Sequence, residues 1–195
     1  MNLVIMGKSR CGKSTLANMI CKNIPGYSKI SLDYLVMTFK KVFADLNLEY
    51  YKNTENNFTQ FVENYFDNCI YKDNDCGINY VLEGADLPRE VILRLGKMKR
   101  TKVIFLGKTK ISPQEFFDEI RKYEKNLSTG GWTKKLSDET LLSWCTDWIK
   151  KSVENLQFCE ENGIEFIDTS FNQNEVLSNY LDVNKNILMD KNLPE

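Results

Sequence analysis

A phosphate-binding motif lies near the start of the chain. Residues 7–14 read Gly7-Lys8-Ser9-Arg10-Cys11-Gly12-Lys13-Ser14 and match the pattern G-x-x-x-x-G-K-[ST]. A short apolar run of buried-strand type, Leu3–Met6, precedes the motif, and a helical pattern over Lys13–Asn23 follows it and stops before Pro25. The motif therefore has the strand–loop–helix context that its chemistry requires, and the sequence predicts a binding site for a nucleoside triphosphate.

The residue types of the motif explain how it would bind phosphate. Gly7 and Gly12 let the backbone curl so that successive N–H groups form an anion-binding nest, which the N-terminus of the following helix extends. Lys13 is expected to reach the β- and γ-phosphates, and the Ser14 hydroxyl is expected to ligate Mg²⁺. For Arg10, an exposed loop charge is favoured over a phosphate contact, although Arg10 stays among the candidate nucleotide-binding residues. The other residues expected to border the nucleotide are Lys8, Ser9, Cys11 and Thr15.

Composition narrows the chemistry further. The chain has 195 residues, enough for one domain with a full hydrophobic core, and contains no histidine. The missing histidines exclude Ser-His-Asp triads, Cys-His dyads and histidine zinc sites. Any general base must then be a carboxylate or the substrate itself, which phosphoryl transfer tolerates because its catalysis is mostly positioning and electrostatic stabilisation.

Charge and cysteine usage indicate the environment of the protein. The net charge of −1 lacks the basic excess typical of nucleic-acid binding, and no apolar run reaches membrane-spanning length. The chain enters a strand directly, so we expect no secretory signal. Six cysteines without C-x-x-C spacing then predict reduced thiols in a cytoplasmic protein.

Strand-like and helix-like segments alternate along the chain. The predicted strands are Leu3–Met6, Lys29–Leu32, Asn79–Leu82, Lys102–Leu106 and Ile164–Ile167. The predicted helices are Lys13–Asn23, Tyr34–Leu46, Asn57–Tyr71, Arg89–Gly96, Pro113–Lys125, Asp138–Glu161 and Asn174–Leu188. This order predicts a three-layer α/β fold, with a five-stranded, mainly parallel sheet and helices on both faces.

Two segments of the predicted single domain, 1–195, are longer than simple connections require. Residues 33–78 are predicted to be helical and are rich in aromatic side chains, and residues 121–137 contain a polar loop with paired glycines. In a nucleotide enzyme these segments suit an acceptor-binding insert and a closing lid, respectively. The alternatives are a helical hairpin that covers the sheet and an ordinary surface loop.

Together with the motif, three further segments resemble the P-loop kinase superfamily, in particular its adenylate-kinase-like and small-molecule kinases. They are Ile30-Ser31-Leu32-Asp33, the stretch from Tyr80 to Arg89 with Glu83-Gly84 and Pro88-Arg89, and Ile167-Asp168-Thr169-Ser170. The resemblance implies a P-loop NTPase fold that uses ATP and Mg²⁺. It also implies that Asp33, Gly84 and Arg89 face the acceptor and that Asp168 and Thr169 border the adenine ring.

Four side chains are candidates for the acceptor and the transferring group, each with an alternative. Asp33 would orient the acceptor hydroxyl or cap a helix, and Glu83 would hold a Mg²⁺-bound water or be a solvated acid at a strand end. Arg121 would act as an arginine finger or as a cation at a helix C-terminus. Arg89 would bind an acceptor anion or simply begin a helix.

These residues favour an ATP-dependent kinase that phosphorylates a small-molecule acceptor. Two other functions stay open at this point: a P-loop ATPase without an acceptor, and a regulatory domain that binds nucleotide without catalysis. A GTPase is disfavoured because the sequence has neither D-x-x-G nor N-K-x-D.

Overall fold

A computed structural model describes residues 1–43, 55–73, 76–126 and 131–189. Its centre is a five-stranded sheet in the order β2-β3-β1-β4-β5, in which every neighbouring pair is parallel. The α/β fold with a five-stranded parallel sheet is therefore confirmed. The strands are β1 (Asn2–Gly7), β2 (Tyr27–Ser31), β3 (Asn79–Gly84), β4 (Thr101–Gly107) and β5 (Glu165–Asp168).

The helices of the described residues connect the strands in the order that the sequence predicts. The α-helices are α1 (Lys13–Asn23), α2 (Leu32–Val42), α3 (Asn57–Asp73), α4 (Arg89–Gly96), α5 (Pro113–Lys125), α6 (Asp138–Asn162) and α7 (Gln173–Met189). A short 3₁₀ helix, Trp132–Lys135, lies between α5 and α6.

Two apolar cores lie on opposite faces of the sheet and produce the three layers. On one face, Val4 and Met6 of β1 pack in a cluster with side chains of α2, α3, α4 and α6. On the other face, Leu3 and Ile5 pack with side chains of α1 and α7. This alternation along one strand, with the whole strand buried, is typical of the central strand of a doubly covered parallel sheet.

The start of α2 differs from the prediction. The second strand ends at Ser31, and the helix begins at Leu32 rather than Tyr34. Leu32 is buried, and its side chain packs directly over Gly84, where an added Cβ would lie 2.4 Å from the Leu32 Cδ1 atom. This tertiary contact explains the earlier helix start. The predicted end at Leu46 lies outside the described residues.

The aromatic side chains of the 33–78 segment divide between core and surface. Phe58 and Phe66 of α3 are buried against the sheet, whereas Tyr34 and Phe43 are exposed. Tyr50 and Tyr51 lie outside the described residues, as do residues 127–130 of the lid segment. Among the described helices, none is both long and apolar enough to cross a membrane.

Candidate functional site

The loop between β1 and α1 has the geometry of an anion-binding nest. Gly7 has φ 142°, and an added Cβ would lie 2.0 Å from the Leu106 carbonyl oxygen, so no side chain fits there. Gly12, with φ 91°, immediately precedes the first turn of α1. Backbone N–H groups between these glycines and the free N-terminus of α1 therefore lie at the same edge of the sheet, as the binding of phosphate requires.

Lys13 lies within this loop and is nearly inaccessible to solvent. Its Nζ atom donates a 2.7 Å hydrogen bond to the Lys8 carbonyl oxygen. Burial lowers the pKa of Lys13, while the negative charges of Glu83 and Asp33 act in the opposite direction. The ammonium group thus contacts the loop's own backbone and lies within the electrostatic influence of three carboxylates, Glu83, Asp33 and Asp86.

Ser14 and Glu83 form a pair of oxygen donors beside the loop. The Ser14 hydroxyl donates a 3.0 Å hydrogen bond to Glu83 Oε2, and Glu83 is 3 % exposed at the end of β3. Mg²⁺ in phosphoryl-transfer sites takes one or two protein oxygens and completes its coordination with waters and phosphate oxygens. The Ser14 hydroxyl and the buried Glu83 carboxylate, which are in contact, fit that requirement. Because Glu83 is buried, it is not a solvated acid at a strand end, which was the alternative that the sequence left open.

A cleft with a volume of 1020 Å³ opens at the carboxyl ends of the strands. Open α/β sheets bind ligands at this edge. The cleft joins the P-loop to residues that follow β2 and β3 and to α5. Its described lining residues are Ser9, Arg10, Gly12, Lys13, Ser14, Thr15, Asp33, Glu83, Ala85, Asp86, Phe116, Glu119, Ile120, Tyr123, Trp132 and 172–175.

Asp33 is brought to the cleft, as the sequence predicts, but it does not cap α2. Ser31 occupies the N-cap position, and Asp33 lies in the first turn of the helix. The capping alternative was wrong because the tertiary contact of Leu32 starts the helix two residues earlier than the sequence pattern suggests. The carboxylate of Asp33 is exposed and accepts no hydrogen bond from a described side chain, so it is available to a ligand.

Three of the predicted nucleotide-binding residues are not among the described lining residues of the cleft, and each of them contacts other protein groups. The Lys8 ammonium pairs with Asp86, and Cys11 is fully buried, with burial raising the pKa of its thiol. Thr169 is buried too, and its hydroxyl donates a 3.1 Å hydrogen bond to the Cys11 carbonyl oxygen. The last strand is therefore linked directly to the middle of the P-loop.

Asp168 lies at the end of β5, outside the described lining of the cleft. Its carboxylate accepts a 2.8 Å hydrogen bond from the Ser170 N–H and another from the Thr109 hydroxyl. Burial raises the pKa of Asp168, but these hydrogen bonds outweigh it and hold the pKa below its ordinary value. The chain reaches the cleft only three residues after Thr169, with residues 172–175.

Gly84 and Arg89, the other predicted acceptor-binding residues, are not brought to the cleft lining. Gly84 is covered by Leu32. The Arg89 guanidinium carbon lies 4.8 Å from the centre of the Phe158 ring, and its Nη2 atom donates a 3.3 Å hydrogen bond to the Glu154 carbonyl oxygen. Arg89 therefore stacks on α6, and the structure gives it a role in helix packing.

Arg121 is held in a polar cluster within the segment that the sequence predicts to be a lid. Its guanidinium donates to Glu124 at 2.9 Å, to Asp138 at 2.7 Å and to the Leu136 carbonyl oxygen at 2.9 Å. It does not line the cleft, whereas Arg10 does. The exposed-charge alternative for Arg10 was wrong, because Arg10 packs against the lid and burial lowers its pKa.

The Glu124 carboxylate in this polar cluster should make the free energy of unfolding depend on pH. Burial raises its pKa, but hydrogen bonds from Thr133 and Arg121 outweigh burial and hold the pKa below its ordinary value. The stabilising effect of this carboxylate is therefore present above the pKa that it has in the unfolded chain, and is lost as the pH falls through its pKa in the folded protein.

Glu124→Gln should lower the free energy of unfolding at pH 7 by about 2 kcal/mol. It should also flatten the decline of that free energy between about pH 5 and 3, as measured by urea denaturation. Glu160→Gln, on the exposed surface of α6, controls for the loss of one surface charge, and equal slopes for wild type and Glu124→Gln would contradict this assignment.

Several cleft residues could not be assigned to a site from the sequence. Asp86 pairs with Lys8, and Phe116, Ile120 and Tyr123 present one face of α5 to the cleft. Their helical spacing gave a signal for one apolar face, but the same spacing also occurs in a helix that simply packs on a core. Residues 172–175 carried no motif.

Comparison with solved structures shows that the fold resembles the folds of a shikimate kinase, a gluconokinase and a sugar kinase. Shikimate kinase from Bacteroides thetaiotaomicron matches with a TM-score of 0.58 and 12% identity, over 95% of this chain and 98% of that chain. A gluconokinase from Sinorhizobium meliloti matches with a TM-score of 0.53 and 15% identity, over 95% and 94% of the two chains. A sugar kinase from a Janibacter species matches with a TM-score of 0.54 and 13% identity, over 93% and 92%. Neither a protein-family model nor a curated protein matches the sequence.

Proposed function

We propose that this protein is an ATP-dependent kinase that transfers the γ-phosphoryl group to a hydroxyl group of a small-molecule acceptor. The observation that carries the proposal is that donor and acceptor groups share one cleft. Lys13 and Ser14 of the P-loop, Glu83 at the end of β3 and Asp33 at the start of α2 all line it. A volume of 1020 Å³ suffices for a nucleotide together with a small second substrate.

Each residue has a defined part in the transfer. The backbone nest and Lys13 bind the β- and γ-phosphates, with Lys13 exchanging the Lys8 carbonyl oxygen for phosphate oxygens. Ser14 and Glu83 would hold Mg²⁺, which neutralises charge on the phosphates when bound. Asp33 accepts a hydrogen bond from the acceptor hydroxyl and orients its oxygen in line with the γ-phosphorus.

The charges of the cleft favour an uncharged or cationic acceptor over a nucleoside monophosphate. Among the described lining residues, the only cations are Arg10 and Lys13, and both belong to the donor side. Five carboxylates line the same cleft. Lys8 neutralises Asp86 and Lys108 neutralises Glu119, and the remaining three are Asp33, Glu83 and Glu175. An acceptor phosphate would therefore meet like charge, whereas a polyhydroxylated or amino-bearing alcohol would find hydrogen-bond acceptors.

Measurement of ADP release from Mg²⁺-ATP, with and without pools of acceptors, tests the proposal. Release that depends on a neutral or cationic hydroxyl compound is the expected result. Release without any acceptor would favour the ATPase alternative, and binding of ATP without turnover would favour the regulatory alternative. A preference for nucleoside monophosphates would contradict the proposed acceptor class but not the kinase activity.

The proposed cellular location is the cytoplasm. All six cysteines are free thiols, three of them buried, which suits a reducing compartment that also supplies ATP. Small-molecule acceptors are the proposed partners, and nothing in the net charge of −1 favours nucleic acid.

A further inference from the structure

Arg10 joins the P-loop to residues 131–136, which belong to the predicted lid segment. Its Nη2 atom donates a hydrogen bond to the Thr133 hydroxyl. Its guanidinium carbon lies 5.8 Å from the ring centres of both Trp132 and Tyr123. The nearest carboxylate oxygen, Oε1 of Glu124, is 3.6 Å from Nη2. One P-loop side chain is thus surrounded by the lid segment and by the end of α5.

The contact between Arg10 and residues 131–136 occurs with an unfavourable backbone conformation at Arg10. Arg10 has φ 64°, a left-handed conformation that costs a non-glycine residue about 1 kcal/mol. Gly131 leaves the space that the guanidinium needs, since an added Cβ there would lie 2.5 Å from Nη2. A strained residue on one side and a close approach on the other are typical of a functional constraint.

The hydrogen bonds of Arg10 are incompletely satisfied. A guanidinium carries five N–H donors, yet the Nε atom of Arg10 is buried without a partner. The neighbouring Glu124 already accepts hydrogen bonds from Thr133 and from Arg121. Arg10 also lines the cleft beside Lys13. The guanidinium therefore has an unpaired donor that a shift of the side chain toward the cleft would offer to an anion, and Glu124 keeps its two other partners after such a shift.

We propose that Arg10 couples the occupancy of the P-loop to the position of residues 131–136. The inference rests on the proposed function only in that the anion is a triphosphate. The phosphate accepts a hydrogen bond from the unpaired donor of Arg10, while Nη2 stays on Thr133. The bound triphosphate then holds Trp132 and its neighbours over the donor site. Arg10 acts on the lid as a positioning residue, in addition to contacting phosphate.

Hydrogen exchange of peptides that cover residues 131–136 tests the coupling. In the nucleotide-free protein, Arg10→Ala should speed exchange of this segment by roughly 10-fold, the effect of losing about 1.4 kcal/mol of local stability. Arg10→Lys keeps the positive charge but loses the planar guanidinium group with its several donors, so it should give a smaller increase in the exchange rate. Arg100→Ala is the matched control, because Arg100 also has a left-handed backbone (φ 52°) but lies at the opposite end of the sheet, before β4.

Addition of a Mg²⁺-bound, non-hydrolysable ATP analogue provides the second readout. It should slow exchange of residues 131–136 in the wild type and in Arg100→Ala, but not in Arg10→Ala. Equal exchange in wild type and Arg10→Ala, either without the analogue or with it bound, would overturn the coupling. If calorimetry shows that no nucleotide binds, the proposed kinase function fails by itself. Tripolyphosphate then serves as the anion, and a lack of protection by it would overturn the coupling too.

Discussion

Replacing Lys13 with alanine is expected to reduce the turnover number by about 10²- to 10³-fold while the protein stays folded. The reaction concentrates negative charge on the phosphoryl oxygens, and loss of one preorganised donor at such a position costs about 10²- to 10³-fold. The only other cation among the described residues that line the cleft is Arg10, and it does not take the place of Lys13 because its Nη2 atom is held by Thr133. A coupled assay of ADP release with the identified acceptor measures this effect.

The fold should survive because the contacts of Lys13 are few. Its ammonium makes one hydrogen bond, to the Lys8 carbonyl oxygen, and loss of that bond costs about 1 kcal/mol. Lys22→Ala is the matched control, since Lys22 lies on the exposed face of the same helix. Thermal unfolding monitored by circular dichroism verifies the fold of both variants. Unaltered turnover in Lys13→Ala would refute the role assigned to the ammonium group.

The second large effect is expected from Asp33→Asn, which should lower the turnover number by about 10²-fold and leave ATP affinity within about 2-fold. The amide keeps the size of the side chain but is a far weaker base and hydrogen-bond acceptor. Because Asp33 lies in the first turn of α2, outside the P-loop, its loss should affect the acceptor more than the donor. Steady-state kinetics and calorimetry with Mg²⁺-ATP separate the two.

Stability provides an internal check on this assignment. Asp33 is exposed and Ser31 is the N-cap, so the free energy of unfolding should fall by less than about 1 kcal/mol, the usual value of a charge near a helix N-terminus. Glu90→Gln is the matched control because Glu90 occupies the first turn of α4 and does not line the cleft. Equal losses of ATP binding and turnover in Asp33→Asn would contradict an acceptor role.

Local sequence patterns were sufficient to identify the fold. Strands such as Leu3–Met6 are apolar runs of four to six residues, and helices such as Pro113–Lys125 carry their own start signals, here a capping box with Ser112 and Glu115. Such signals act within a few residues, so they survive in the sequence. Alternation of these elements then restricts the sheet to a parallel one with helices on both faces.

The sequence predicted the donor half of the proposed site for the same reason. Gly7, Gly12, Lys13 and Ser14 act through backbone conformation and through side chains that are close along the chain. Glu83 and Asp33 were also found, because both follow strands whose carboxyl ends meet at one edge of a parallel sheet. In the structure, Ser31 and Glu83 are direct partners across β2 and β3.

The roles of the arginines were decided only by tertiary structure. A long cationic side chain reaches several partners, and its choice depends on groups far away in sequence. Arg89 stacks on Phe158, Arg121 binds Glu124 and Asp138, and Arg10 contacts Thr133, which is 123 residues away. The sequence therefore predicted the position of the proposed phosphate site, because that site is made from local backbone. Packing between distant elements decided which cation lies beside it, since only the folded chain brings the competing carboxylates and rings together.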